Sequence, residues 1–239
     1  MTHLDPRTAA KRAAGHAAVD RYVRSGMRVG LGTGSTAVWA VRRLGGLLGD
    51  GTLTDVAGVP TSDASAREAT DCGIQLTTLD DHPRLDLTVD GADEVSPTLD
   101  LVKGGGGAHL REKIVAQASE RLVIVVDEAK LVPALGTGFA VPVEVVPMAR
   151  HPERVFLESL GARVTQRSAL DGTPFVTDEG NWILDADLGP IADPAALLDR
   201  LRERAGVVEV GLFLGMASVV LVATPDGEVR TLNRVIRGS

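Results

Sequence analysis

The first half of the chain alternates short apolar runs with longer stretches in which apolar residues recur at helical spacing. Continuous Val, Leu and Ile runs are typical of strands buried on both faces, since a half-exposed strand alternates apolar with polar positions. The pattern predicts strands over residues 27–31, 56–59, 85–89 and 122–126, and helices over residues 8–24, 35–44, 63–70 and 109–119. This alternation predicts an α/β fold with a mostly parallel sheet and helices on both faces.

The pattern changes after about residue 133. From there on, the apolar runs fit antiparallel strands better than parallel ones. Two β-rich runs, 174–177 and 181–185, flank the turn sequence Asp178-Glu179-Gly180 and indicate a hairpin. Further strands are predicted over 141–147 and 162–166, with helices over 152–160 and 193–205, the last of them burying Ala196, Leu197, Leu201 and Ala205. This part of the chain therefore predicts a small α+β unit.

The chain ends in a second predicted hairpin, with arms at 219–223 and 229–232 that turn on Pro225-Asp226-Gly227. We expect this hairpin to rejoin the first sheet. The resulting division is one domain formed by residues 1–133 with 211–239 and a second, smaller domain formed by residues 134–210.

Composition and charge narrow the classes of function. The chain has 239 residues and a net charge of −7, which argues against general nucleic-acid binding because that needs a basic surface. Its single cysteine, Cys72, excludes an internal disulfide and a Cys-rich zinc site. No apolar run reaches the roughly 18 residues that a membrane span needs, and the amino terminus lacks the apolar segment of a secretory signal. We therefore expect a cytoplasmic protein without a membrane partner.

The first candidate site is the sequence Gly30-Leu31-Gly32-Thr33-Gly34-Ser35-Thr36, which lies between a predicted strand and a predicted helix. Its glycines allow close backbone approach, and the free N–H groups that begin a helix favour an anion. The sequence matches neither a nucleotide P-loop nor G-x-G-x-x-G. A tight turn without a ligand is the alternative.

The second candidate site is Val89-Asp90-Gly91-Ala92-Asp93-Glu94, which begins where a predicted strand ends. Ligands of open α/β sheets bind outside the carboxyl ends of the strands, so the position is informative. Asp90 and Asp93 are suited to hydrogen bonding a sugar hydroxyl or to moving a proton. The alternatives are a turn-capping role and a Mg²⁺ site.

The third candidate site runs from Lys103 through four glycines to His109 and Glu112. Four consecutive glycines are entropically costly to order, which indicates that something approaches their backbone closely. Glu112 is a candidate base, although a solvated glutamate is also common in the first turn of a helix. His109 is a weaker candidate, because a lone histidine in a loop is more often a surface residue.

The fourth candidate is Lys130, just past the strand predicted at 122–126. It either supplies positive charge for an anion or is a solvated loop lysine. All four polar clusters follow predicted strands. Together they offer an anion loop, two lysines and three carboxylates, without a set of metal ligands, and this inventory suits proton transfer on a phosphorylated polyol.

Several of these sequences, in order and at matching spacings, resemble ribose-5-phosphate isomerase A over essentially the whole chain. The resemblance rests on Gly-x-Gly-Thr-Gly-Ser-Thr at 30–36, Thr-Ser-Asp-Ala-Ser at 61–65, Val-Asp-Gly-Ala-Asp-Glu at 89–94, Lys-Gly-Gly-Gly-Gly-Ala at 103–108, Arg-Glu-Lys-Ile at 111–114, Pro-Val-Glu-Val-Val-Pro-Met-Ala at 142–149 and Thr-Asp-Glu-Gly-Asn at 177–181. It implies a Rossmann-like domain with a smaller ferredoxin-like domain, assembled as a homodimer or a dimer of dimers.

The same resemblance implies interconversion of D-ribose 5-phosphate and D-ribulose 5-phosphate in the pentose phosphate pathway, without a metal or an organic cofactor. It places the base on Glu112, paired aspartates on Asp90 and Asp93, and the active-site lysine on Lys103. Substrate binding falls on Thr33, Gly34, Ser35, Thr36, Asp90, Gly91, Ala92, Asp93, Lys103, Gly104, Gly105, Gly106 and Lys130. His109 stands where the family pattern leads us to expect an apolar residue.

Two other functions share parts of this pattern. An amino-sugar-phosphate deaminase of similar fold would need a histidine-centred site for ring opening, which Asp90 and Glu112 in their motifs argue against. A non-catalytic sugar-phosphate sensor would keep the anion loop but would add a DNA-binding segment and lack the three carboxylates.

Overall fold

The computed structural model describes residues 5–234 and separates into two compact units. Among these residues, the first unit comprises 5–92, 111–130 and 216–234, and the second comprises Asp93–Leu110 and Leu131–Gly215. Residues 1–4 and 235–239, which the sequence-based ranges include, lie outside the described residues. Within residues 5–234, every helix is too short or too polar to span a lipid bilayer.

The first unit is built on a seven-stranded sheet whose strand order is β14-β13-β7-β4-β1-β2-β3. Every neighbouring pair is parallel except β13 with β14, which form the predicted carboxyl-terminal hairpin. The strands are β1 Arg28–Leu31, β2 Ala57–Pro60, β3 Gln75–Leu76, β4 Leu87–Asp90, β7 Leu122–Asp127, β13 Val219–Ala223 and β14 Val229–Asn233. The predicted α/β class and the return of the last hairpin to this sheet are confirmed.

Helices cover both faces of this sheet, which is why its strands read as continuous apolar runs. The helices are α1 Pro6–Tyr22, α2 Ala37–Gly49, α3 Asp63–Asp71 and α4 His109–Gln117. Small residues bring α1 close to α2, since a Cβ atom on Gly15 would lie 2.8 Å from the Ala40 nitrogen. On α4, Val115 packs against Val59 and Leu85.

The second unit contains a four-stranded antiparallel sheet with the order β11-β8-β10-β9 and a small three-stranded sheet with the order β12-β6-β5. Its strands are β5 Glu94–Val95, β6 Leu101–Val102, β8 Val141–Val145, β9 Arg163–Gln166, β10 Trp182–Asp187, β11 Val207–Val210 and β12 Leu212–Phe213. Helices α5 Arg150–Ser159 and α6 Pro194–Arg202 complete it, and both contribute leucines to the core of the larger sheet. The predicted α+β character is confirmed.

The boundaries of the two units differ from the sequence-based division at three places. Residues 93–110, 131–133 and 211–215 group with the second unit. The reason is the three-stranded sheet, in which β12 pairs with β6 and β6 pairs with β5. Two-residue strands carry no periodic pattern, so the sequence does not reveal this pairing.

Two detailed predictions in the second unit are confirmed only in part, since one antiparallel bridge, between Val176 and Trp182, joins the two predicted hairpin arms, and Leu201 is buried as predicted. The run 174–177 makes only isolated bridges, Ser168 with Pro174 and Val176 with Trp182, whereas β10 pairs continuously with β8 and β9. Proline lacks the N–H that a continuous ladder needs. In α6, the buried residues are Leu198 and Leu201, while Ala196 is exposed and Ala205 lies beyond the end of the helix.

The core of the second unit also holds an acid. Glu144 on β8 is 0% exposed, and its Oε1 accepts hydrogen bonds from Thr177 Oγ1 at 2.9 Å and Asn181 Nδ2 at 3.0 Å. His109 Nε2 lies 3.8 Å from Glu144 Oε2. Burial raises the pKa of Glu144, the two hydrogen bonds oppose that rise, and the nearby charges of Glu179 and Glu209 add to it.

Glu144→Gln should therefore make the free energy of unfolding less dependent on pH. With a pKa raised on folding, the acid costs no stability while both states are protonated. The cost grows as the pH rises above the usual range of a glutamate through the raised pKa. Urea unfolding at a series of pH values checks this, with the exposed Glu203→Gln as control. A wild-type and a Glu144→Gln curve that stay parallel across pH would contradict it.

Candidate functional site

In the first unit, the loop after β1 is tied directly to the end of β4. Gly32 donates a backbone hydrogen bond to the carbonyl of Val89 at 2.9 Å, and Thr33 N–H donates to Asp90 Oδ1 at 3.1 Å. A Cβ atom on Gly32 would lie 2.4 Å from that carboxylate oxygen. Glycine is thus required here because the Asp90 side chain occupies the space that any other residue would need.

The hydroxyl groups of this loop have different tasks. Thr33 Oγ1 is hydrogen bonded to Thr61 Oγ1 at 2.8 Å and to Ser62 Oγ at 2.7 Å, while Ser62 caps helix α3. Helix α2 begins at Ala37, two residues later than predicted, and Thr36 makes no side-chain capping bond. Thr33 therefore fixes neighbouring loops, whereas Ser35 and Thr36 sit at an uncapped helix start.

Lys11 is a residue of this site that the sequence does not indicate. Its Nζ donates a hydrogen bond of 2.8 Å to Ser35 Oγ. Within residues 5–234, the N–H groups of Ser35 and Thr36 have no hydrogen-bond acceptor. A cation, a hydroxyl and two backbone donors at a helix start form a suitable place for an anion. Only the packing of α1 brings Lys11 to a loop 24 positions away.

A cavity of about 310 Å³ borders this loop. Its walls come from the loop itself and from α2 and α3, and they are formed by Gly32, Thr33, Gly34, Ser35, Val38, Val41, Ala64, Ser65 and Glu68. The Glu68 carboxylate accepts a 2.6 Å bond from Arg42 Nε, so the acid on this wall is already paired. The volume is sufficient for a small phosphorylated molecule.

Asp90 is the end residue of β4, and its side chain faces the interior with 1% exposure. Its Oδ1 accepts from Gly91 N–H at 2.7 Å as well as from Thr33 N–H. Ala92, two residues on, is half-buried. The Asp90 carboxylate therefore caps its own turn through Gly91 and also holds the loop after β1 through Thr33.

In the second unit, Asp93 performs a similar task for the glycine run. Its Oδ2 accepts from Gly105 N–H at 2.7 Å, and a Cβ atom on Gly105 would lie 2.6 Å from Oδ1. Gly104 has a φ of +105°, and a Cβ atom there would lie 2.8 Å from His109 Nδ1. Lys103, just before the run, is 2% exposed and its Nζ lies 5.4 Å from the centroid of the Phe213 ring. Glycine is thus needed in this run because neighbouring side chains crowd its backbone.

Glu94 does not share the tasks of the two aspartates. Its two carboxylate oxygens accept N–H groups of Gly136 and Gly138, each at 2.6 Å. Across residues 5–234, no three His, Cys, Asp or Glu side chains are grouped so that they could hold a metal ion. The acidic cluster is therefore a set of loop anchors with separate partners.

Helix α4 carries Glu112 in its first turn, in the Arg-Glu-Lys sequence. The alternative of a solvated glutamate is wrong, because Glu112 is 4% exposed and the adjacent Lys113 is 1% exposed. Arg111 is half-buried and pairs with Asp63 at 2.7 Å. Charged residues are seldom this buried unless they are paired or functional, so their burial is informative.

Two further candidates differ from each other in burial. Lys130 ends a short 3-10 segment, Glu128–Lys130, directly after β7, and it is half-buried. His109 is 0% exposed, with its Nε2 3.4 Å from the carbonyl of Glu209 and close to Glu144. The expectation of a surface histidine is wrong, because the His109 ring is directed at the Glu209 carbonyl and at Glu144 in the core of the second unit.

Comparison with known proteins identifies the relatives of the chain. Residues 57–227 match the sequence profile of ribose 5-phosphate isomerase A (phosphoriboisomerase A). The Chloroflexus aurantiacus ribose-5-phosphate isomerase A is 53% identical over 220 residues, covering 92% of each chain. The enzyme of the same name from Desulfatibacillum aliphaticivorans is 52% identical over 227 residues, covering 95% of this chain and 97% of the relative.

Solved structures agree in fold. Ribose 5-phosphate isomerase from Plasmodium falciparum superimposes with a TM-score of 0.92 at 39% identity, covering 95% of this chain and 99% of that one. A D-ribose-5-phosphate isomerase in complex with phospho-erythronic acid gives 0.91 at 37% identity, covering 94% and 98%. With half of its residues shared over nearly its whole length, this chain belongs to the ribose-5-phosphate isomerase A family.

Proposed function

We propose that this chain performs its isomerisation by proton transfer through an enediolate, with Glu112 as the base. As a member of its family it interconverts D-ribose 5-phosphate and D-ribulose 5-phosphate, a reaction of the pentose phosphate pathway. The observation that carries the proposal is the burial of Glu112, 4% exposed, within the Arg-Glu-Lys sequence of a chain so similar to those enzymes. An enclosed carboxylate can hold a proton without losing it to water.

The reaction begins with ring opening, because the furanose has no free carbonyl group. Asp90 exchanges a proton with the ring oxygen or the anomeric hydroxyl, and this frees the aldehyde. Its Oδ1 is held by two backbone N–H groups, so the carboxylate meets the substrate in one fixed orientation.

The hydrogen shift follows. Glu112 removes the proton from C2, and the electron pair moves into a C1–C2 double bond while the C1 carbonyl oxygen takes up the negative charge. Glu112 then returns the proton to C1, and the hydroxyl on C2 loses its proton to become the ketone. Asp93 relays protons between the two oxygens, so no atom is gained or lost.

Charge on the enediolate needs a stabilising cation and hydrogen-bond donors. Lys103, with 2% exposure, supplies the cation, and N–H groups of the glycine run that have no acceptor within residues 5–234, such as that of Gly106, supply the donors. Preorganised donors of this kind stabilise a developing oxyanion more effectively than water does, because they do not have to reorient.

The phosphate of the substrate is assigned to the loop from Thr33 to Thr36, with charge from Lys11 and Lys130. The contact between Lys11 Nζ and Ser35 Oγ and the acceptor-free N–H groups of Ser35 and Thr36 within residues 5–234 support this assignment. Thr33 contributes by holding the loop in place through Thr61 and Ser62.

For the assembly, we propose a homodimer or a dimer of dimers that works in the cytoplasm. Support comes from large apolar side chains exposed on the second unit, among them Met148 at 88%, Val155 at 51% and Val176 at 55%. Large apolar side chains that together form an exposed patch are typical of surfaces that another chain covers. A single, free cysteine fits a reducing compartment. Sedimentation equilibrium measures the number of chains, and a monomer at micromolar concentration would contradict the assembly.

Glu112→Gln should keep the fold and substrate binding while turnover falls about 10²- to 10⁴-fold, because only the proton acceptor is removed. Ketopentose formation from ribose 5-phosphate, followed in the presence of EDTA, measures this. Glu120→Gln, which changes an exposed glutamate beyond the same helix, is the matched control. If purified Glu112→Gln retained more than about half of the wild-type rate, Glu112 would not be the base.

Ribose without its phosphate should be a very poor substrate, since binding energy from the remote dianion orients the reacting carbons. Lys11→Ala and Lys130→Ala should each raise KM several-fold with a smaller change in kcat. Added salt should raise KM more for the wild type than for either variant, because one screened charge is missing. Arg12→Ala removes an exposed cation from helix α1 and serves as control. Equal KM values for the wild type and both lysine variants would contradict the proposal that Lys11 and Lys130 bind the phosphate.

A further inference from the structure

Arg167 lies directly after β9 in the second unit and is held in a single orientation by Asp185. Its Nη2 lies 2.5 Å from Asp185 Oδ1 and its Nε lies 3.0 Å from Oδ2, so the pair is bidentate. The Arg167 side chain is 15% exposed and that of Asp185 is 23% exposed. A planar guanidinium clamped along one edge has its remaining nitrogen directed along a fixed line.

That remaining nitrogen, Nη1, points to the glycine run. It donates to the carbonyl of Gly104 at 2.7 Å and to the carbonyl of Gly105 at 3.2 Å. These are consecutive carbonyls in the stretch that supplies the proposed oxyanion donors. The arginine therefore contacts the loop from the side of its carbonyl groups.

Peptide geometry converts this contact into an orientation of the N–H groups. In a trans peptide the C=O and N–H bonds point in opposite directions, and residues 5–234 contain no cis peptide. With the Gly104 carbonyl on Arg167, the Gly105 N–H points the other way, and it donates to Asp93 Oδ2 at 2.7 Å. By the same geometry, the Gly105 carbonyl on Arg167 directs the Gly106 N–H away from the arginine.

The Gly106 N–H differs from its neighbours in having no hydrogen-bond acceptor anywhere in residues 5–234, and Gly106 is exposed. The Gly107 N–H, in contrast, closes the turn on the Gly104 carbonyl at 2.9 Å. A run of four glycines has much conformational freedom to lose, so a free donor within it would be poorly directed without an anchor. Arg167 is the anchor on one side and Asp93 is the anchor on the other.

We propose that Arg167 is a positioning residue for the isomerisation, which directs the Gly106 N–H at the negative charge that develops on the substrate. It does not touch the substrate itself. This inference rests on the proposed function, in which the glycine run stabilises the enediolate.

The test compares Arg167→Met with Arg163→Met. Arg163 begins β9, the strand that Arg167 follows, and it pairs with Asp187 on β10, the strand that also carries Asp185, at 2.6 Å, but the Arg163 side chain is 84% exposed. Arg167→Met should lower kcat about 10- to 100-fold, the range expected when a stabilising donor is misdirected, while KM changes less than about 3-fold. Arg163→Met should retain the wild-type kcat and KM.

A second measurement separates positioning from a general loss of stability. Phospho-erythronic acid carries a planar carboxylate that resembles an enediolate in charge and shape, so its inhibition constant reports on the oxyanion donors. In Arg167→Met, its affinity should fall by more than the affinity for ribose 5-phosphate does. A purely structural role would lower the unfolding midpoint and leave the ratio of these two affinities unchanged.

Two further variants test the inference if Arg167→Met does not fold. Asp185→Asn keeps the guanidinium but weakens its clamp, and Arg167→Lys keeps a charge that cannot reach both carbonyls in the fork geometry. Each should lower kcat more than it raises KM. The inference would be overturned if folded Arg167→Met, or both of these variants, had the kcat of the wild type. An active wild type would still support the proposed function in that case. An inactive wild type would instead refute the proposed function.

Discussion

In each of the two units, carboxylates that accept backbone N–H groups hold the loops that carry the candidate site residues. Three acids lie within five consecutive residues, and each holds a different loop. Asp90 holds the loop after β1 through Thr33, Asp93 holds the glycine run through Gly105, and Glu94 holds residues 136 to 138. Hydrogen bonds to an ionised acceptor are stronger than neutral ones, so one short segment can impose its order on loops that are distant in sequence.

This constraint also accounts for the glycines. At Gly32 and Gly105 the acid lies where a side chain would begin, so any larger residue would push the carboxylate away. The glycines and the acids therefore depend on each other, because the absence of a Cβ atom allows the carboxylate to approach the backbone of the loop. In the proposed mechanism, the N–H groups that the acids leave unused are the ones that bind the substrate.

Burial of charged groups is the second property on which the proposed chemistry depends. Lys103, Glu112 and Asp90 are each at most 4% exposed. Electrostatic interactions are stronger where water is excluded, so a cation beside a developing oxyanion has more effect there than at the surface. The parallel sheet and its helices supply this shielding for Glu112 and Asp90, while the smaller sheets supply it for Lys103.

The amino-acid sequence by itself determined the fold class, since buried parallel strands must be apolar on both faces and helices must cover them. It also indicated the candidate residues, because a glycine run is costly to order and acids at strand ends lie where such sheets bind their ligands. It could not indicate Lys11, Arg167 or the burial of His109. Their contacts lie 24, 63 and 35 positions away in the chain, with Ser35, Gly104 and Glu144. Such pairs leave no periodic pattern, and only tertiary packing brings them together.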